Sequence, residues 1–293
     1  MNFRFYWGSR LNLLLNEVER WSRWFRRMLF PSSVSCRGWR YNTSVNDATA
    51  FPEFRKDALQ RLGPLVMAAR SLLEIGREMM RAQASEPLQA VAKEITQTVA
   101  NSMESVLLLS CNGCGVDAFK IVRTMFEAAV TIGYLDKHPE LVQDYRDFIW
   151  IIRKKYLDYR IQMSADKAKP ITPEKVREIG ERYEQVKDRF KGLRWCKRSL
   201  KDMAKEVNAE LEYGGIYLLG SSMTHSDVLA IVAGAGDSGD VEPVPSEQNV
   251  CLAMQMALGS YSAVLRVFDK TVNLGRSDSI EAAWRTQFKN ASQ

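Results

Sequence analysis

From about residue 52 to residue 273 of this 293-residue chain, apolar side chains recur at steps of three and four, and no segment sustains a period of two. That periodicity lines one face of a helix rather than one face of a strand, so it confines the chain to helix-on-helix packing. The fold expected is all-α: a single domain of about eight helices, spanning residues 46–293. A chain of this length buries a large core and needs neither disulfides nor metals to stand up.

Helix boundaries follow from proline, glycine and capping residues. Pro52 to Leu62 reads as a first helix, and Pro64 opens a second that runs to about Gln83. Glu86 to Ser110 reads as a third, ended by the turn Cys-Asn-Gly-Cys-Gly at 111–115. A strongly apolar helix then covers Val116 to Lys137, and Pro139 opens a long one reaching about Ala165. Thr172 is placed to cap the next, with Pro173 at its first position. Ser199 and Asp202 have the spacing of a capping box, with Asp in place of the usual Glu. Tyr213 to His225 and Gln248 to Asn273 are the last long helices, separated by a Gly/Asp/Pro-rich loop at 234–246.

Charge sets the N-terminus apart. Residues 1–41 hold eight Arg, no Lys and two Glu, and four of the seven Trp. The remainder has 33 basic and 33 acidic residues, with Arg and Lys nearly equal at 17 and 16. The body is therefore neutral, and no general nucleic-acid-binding surface is expected on it. Residues 1–45 form a basic arm and a Ser/Asn/Thr-rich linker. Within the arm Leu11, Leu14, Leu15, Val18, Trp21, Phe25, Met28 and Leu29 share one helical face. Four readings stand: a membrane-interfacial helix over residues 10–29, a transit peptide, a helix docked on the body, and a disordered arm or artefactual start. No apolar run in the arm approaches the roughly twenty residues of a membrane span.

Five scattered cysteines argue for a reducing compartment rather than a disulfide framework, so a cytoplasmic location is expected, peripheral to a membrane if the arm binds one. Cys111 and Cys114 form a lone pair with no second pair to complete a zinc site, and His138 and His225 are the only histidines. No metal or cofactor is expected. Gly234, Gly236 and Gly239 are too loosely spaced for a phosphate loop.

Two polar clusters carry the candidate chemistry. Arg123 and Glu127 sit four apart on the most apolar helix. Charges there are paired or functional, because burying one alone is costly. Arg before Glu is the weaker order for a purely helical pair, which points to further partners for each. Tyr217, Ser221 and His225 follow at i, i+4 and i+8, sharing a face if the helix is regular, and Ser222 neighbours His225 at i+3. A Ser–His pair can support nucleophilic chemistry, yet no nucleophile elbow surrounds this one.

Three segments taken in order resemble a known family: Val116-Asp117-Ala118 with Arg123-x3-Glu127 and Tyr134-x4-Pro139-Glu140; Trp195 with Ser199-Leu200-x3-Ala204; and Tyr217-x3-Ser221-Ser222-x2-His225-Ser226. They resemble a mainly bacterial helical family catalogued as a domain of unknown function, number 5677, over roughly residues 91–274. The resemblance implies that Arg123, Glu127, Tyr217, Ser221, Ser222 and His225 matter together, and it brings no reaction, ligand or cofactor. Trp195-Cys196-Lys197 departs from the Trp-x-Gly step of that pattern. The Arg-x4–6-His signature of helical RNases is absent before both histidines.

Two functions are consistent with these residues. One is a helical binding or interaction module with the Arg/Glu/Ser/His cluster between helices, acting on an unidentified ligand or protein partner. The alternative is a hydrolase or nuclease, with His225 as general base, Ser222 and Glu127 as further catalytic candidates and Arg123 as the anion-binding group.

Overall fold

The structure, a computed structural model, describes residues 62–163, 171–190, 194–225 and 247–288, with the His225 side chain outside that set. The basic arm, the linker, the expected helix from Pro52 up to residue 61 and the loop at 234–246 lie outside the described residues.

All described elements are helical, as the periodicity requires. Helix α1 is Gly63–Met79, α2 Pro87–Cys111 and α3 Gly115–Lys137. A 3-10 turn at Pro139–Leu141 leads into α4, Val142–Met163. Then come α5, Pro173–Val186, and α6, Leu200–Glu206. The short turn α7, Glu210–Glu212, runs directly into a π-helix at Tyr213–Leu218 and then α8, Leu219–His225. Helices α9, Glu247–Val272, and α10, Ser277–Arg285, complete the order.

The expected caps are made. Thr172 Oγ1 accepts from Lys175 N–H at 3.4 Å. Ser199 Oγ accepts from Asp202 N–H at 3.1 Å, and the Asp202 carboxylate accepts from Ser199 N–H at 3.3 Å, so Asp serves where Glu is usual. The turn after α2 needs a left-handed residue, and Gly113 supplies it at φ 80°. The segment 213–225 departs from the single α-helix its periodicity suggests. Gly214 and Gly215 lack the side-chain packing that holds a helix to α geometry, and the first half widens into π turns.

Helix α9 is the centre of the core. Val250, Leu252, Ala253, Met254, Ala257, Leu258, Tyr261, Val264, Leu265 and Phe268 are all essentially solvent-free. It packs on α1, α2, α3 and α10. It is the only described helix long and apolar enough to cross a membrane, and 61% of its most apolar window is buried among its neighbours. Its one buried acid, Asp269, accepts from Arg276 N–H at 2.8 Å and Ser277 Oγ at 2.7 Å, so the carboxylate is satisfied while it closes the α9–α10 turn.

Helices α4 and α5 form a hairpin that touches the rest chiefly through α2. The C-terminus of α3 is clamped to α6 through His138, whose Nε2 meets the Glu206 carboxylate while Nδ1 lies 3.1 Å from Glu140. Tyr134 packs on the His138 ring at 4.4 Å, and Trp195 meets Tyr134 and Tyr145 edge-on at 6.2 and 5.2 Å. This clamp is what positions α6, and through it the segment that carries the second polar cluster.

Candidate functional site

Helix α3 offers one face to the core and a second to the π-helix and α8. Arg123 lies where these meet. Its neighbours Phe119, Val122 and Phe126 are buried, while its own side chain retains 19% exposure. The crossing is close because of Gly220 in α8. A Cβ there would lie 2.8 Å from Arg123 Cβ and 3.5 Å from Phe119, inside van der Waals contact for the first. Only glycine lets α8 approach α3 this closely.

Close approach brings the two sequence clusters together through Tyr217. The Arg123 guanidinium lies over the Tyr217 ring at 4.8 Å, a cation–π contact in partly desolvated surroundings. Tyr213 stacks on Tyr217 at 5.0 Å with the rings 18° from parallel. Arg123 Nη2 is 3.1 Å from Glu127, so the helical ion pair forms, and the further partner its order pointed to is the tyrosine face. Arg123 Nε–H is buried with no hydrogen-bond partner among the described residues. Glu127 is not enclosed, since its side chain is 37% exposed.

The remaining candidates divide. Ser221 is half-buried and Ser222 is buried at 5% exposure, which places the Ser222 hydroxyl in the packing rather than facing solvent. His225 ends α8, and its side chain lies outside the described residues. Because α geometry begins only at Leu219, the regular i, i+4, i+8 register expected for Tyr217, Ser221 and His225 holds only from there.

Three residues in and beside the π-helix were not evident from spacing. Glu212 immediately precedes the π-helix, and its Oε2 is buried without a partner among the described residues. Burial raises its pKa above the usual carboxylate range, outweighing a lowering backbone hydrogen bond. A glutamate at a helix start normally reads as a surface charge, so nothing in the sequence marks it. Tyr213 and Gly220 were equally silent, although the Gly214-Gly215 pair does signal a departure from α geometry. Desolvated carboxylates and π-helical turns both concentrate at functional sites.

Of the cysteine pair, Cys114 is held in its neutral form. The Cys114 thiol donates to Asn112 O at 3.7 Å, and burial together with Asp117 pushes its pKa up, away from the thiolate. No group of three or more metal-ligating side chains occurs among the described residues.

Residues 90–240 match a family described as Family of unknown function (DUF5677). The match covers just over half of the chain, and the protein belongs to that family. It runs from the start of α2 beyond α8, so it takes in Arg123, Glu127, Glu212, Tyr213 and Tyr217. It ends short of the residue 274 expected from the sequence and leaves α9 outside. No curated protein and no solved structure matches the chain.

Proposed function

We propose that this all-α family member is a binding module whose site is the junction of α3 with the π-helix, and that Arg123 receives an anionic group of the ligand there. One observation carries this reading: Arg123 is ordered by Tyr217 and Glu127 yet keeps a desolvated Nε–H with no partner among the described residues. A buried donor left unpaired costs about 1–3 kcal/mol, so an arrangement that retains one is set to gain from a ligand acceptor. A planar carboxylate or a phosphate can engage the guanidinium fork with two parallel bonds. The face of Tyr213 turned away from Tyr217 is the adjoining aromatic surface of this reading, which favours a ligand with an aromatic or planar part. Ser221 and His225, the candidates that α8 carries in its sequence, are the further contacts of this reading. The hydrolase alternative, with His225 as general base, gains no support from the family match.

Thermal unfolding with inorganic phosphate, benzoate and neutral benzamide tests the reading, wild type beside Arg123→Gln. A ligand bound only by the folded state raises the midpoint by mass action. The two anions should raise the wild-type midpoint, benzamide should not, and Arg123→Gln should abolish the response. His225→Ala, run alongside, reports whether the histidine contributes. Equal midpoints with and without both anions would remove the basis for the site.

A further inference from the structure

The α4–α5 hairpin carries a surface that the α3 junction does not use. Ile149, Ile152, Tyr156 and Tyr159 stand on one side of α4 at 42%, 41%, 63% and 57% exposure. Their steps of three, four and three are those of the a and d positions of a heptad, the spacing by which one helix meets another. The opposite side of α4 is already occupied: Trp150 lies against Arg182 at 5.8 Å and Lys154 against Tyr183 at 5.5 Å, both on α5. The helix is thus packed along one seam and open along another. Scattered exposed apolar residues are ordinary, but four in a continuous helical row mark a contact surface.

Charge identifies what fits it. The flanking positions, e and g of this register, are Arg153 and Lys155, and Arg146 holds the e position one heptad toward the N-terminus; all three are exposed and form no salt bridge among the described residues, Arg153 lying over the Trp150 ring at 4.7 Å. The acids of α4 are engaged elsewhere, Asp144 and Asp147 with Arg189 and Asp158 with Lys154. The open seam is therefore apolar with cations on both sides. A second copy would set cation against cation. The chain's own N-terminal arm has eight Arg to two Glu, the wrong sign. The heptad spacing of the row fits the interdigitating side chains of one partner helix, which a flat anionic bilayer does not supply.

We infer that the outer face of α4 docks an amphipathic helix of a protein partner, with apolar residues at heptad spacing flanked by Asp or Glu. The apolar row buries in the partner's seam, and Arg153 and Lys155 set its orientation and exclude basic helices.

The probe is a synthetic three-heptad peptide with Leu at a and d and Glu at e and g, whose like charges keep it monomeric at neutral pH. Its counterpart has Lys in place of Glu. Fluorescence anisotropy against the full chain should show the acidic peptide binding at least about tenfold more tightly than the basic one, and less tightly as salt rises. Ile152→Ser with Tyr156→Ser should abolish binding; both sites are exposed, so the fold is retained, checked by an unchanged helical circular dichroism spectrum. Arg153→Glu with Lys155→Glu should reverse the preference, which non-specific adhesion cannot do. Equal binding of both peptides, or none by either at about 1 mM, overturns the inference. So does self-association of the chain, or adsorption to phosphatidylserine vesicles, that the Ile152/Tyr156 variant loses.

Discussion

Gly76 and Tyr261 hold α1 against α9 by a contact that a double-mutant cycle can isolate. A Cβ on Gly76 would fall 2.0 Å from the Tyr261 hydroxyl oxygen, 3.2 Å from Cζ and 3.3 Å from Leu265. Tyr261 has no exposure and cannot swing into solvent. Its hydroxyl is buried with no hydrogen-bond partner among the described residues, and burial drives its pKa far up. Overpacking of a core costs about 1–3 kcal/mol, and a 2.0 Å approach belongs at the upper end. Replacing a helical glycine by alanine returns about 1 kcal/mol. Gly76→Ala should therefore destabilise by about 2 kcal/mol. In Tyr261→Phe the oxygen is gone and the next contacts are tight by only a few tenths of an ångström, so Gly76→Ala should become neutral or slightly stabilising. The coupling should be about 2 kcal/mol. Tyr261→Phe alone should be neutral or stabilising by up to about 1 kcal/mol, because an unpaired buried hydroxyl is removed. Urea titrations with a common m-value measure all four states. An equal cost for Gly76→Ala in both backgrounds would refute the packing argument. A loss above about 1 kcal/mol for Tyr261→Phe would show that the hydroxyl has a partner.

Gly220→Ala should force α8 from α3 at Arg123 Cβ, costing about 1–2 kcal/mol after the helix-propensity gain, and should weaken anion binding together with stability in the same titrations. Glu212→Gln should stabilise at neutral pH: the raised pKa means that the charged form is the disfavoured one, a penalty that grows as pH rises through the folded-state value. The advantage should fade as pH falls toward 4.5, and an advantage independent of pH would contradict it. His138 has the opposite consequence for its clamp. Its hydrogen bond to Glu206, then that to Glu140, raises its pKa, so the stabilisation is complete below about pH 6.5 and is lost as pH rises through the folded-state value. At pH 6, His138→Gln should cost about 1–2 kcal/mol by urea denaturation, the low end for bonds to a charged group that keeps some solvent, and the gap should close above neutrality.

Local chemistry makes most of the fold legible in the sequence. Thr172, Ser199 with Asp202, and Gly113 each act within a few residues of themselves, so spacing alone reveals them. The steps of three and four placed α1 to α5 and α9 within a few residues, because a buried face must repeat with the helix. The site was half legible. Arg123 and Glu127 stood out as charges on an apolar helix, and their order suggested a third partner, but that this partner is Tyr217 depends on how α8 crosses α3. That crossing rests on Gly220, whose requirement is tertiary and leaves no local mark. Glu212 was invisible because the burial that raises its pKa leaves no mark in the local sequence. The π-helix at Tyr213–Leu218 was signalled only by paired glycines, which are more often read as a turn.

The most direct test of the proposed site replaces the guanidinium and keeps its charge. Isothermal titration of the full chain with benzoate and with inorganic phosphate, wild type beside Arg123→Lys, separates the fork from simple charge attraction. A lysine retains the positive charge but cannot present parallel donors or lie flat on Tyr217 as the guanidinium does. If Arg123 receives the anion through its unpaired Nε–H, Arg123→Lys should lose affinity by at least about tenfold while its unfolding midpoint stays close to wild type. Equal affinity in the two proteins, or no binding by either, would contradict the assignment of this junction as the binding site.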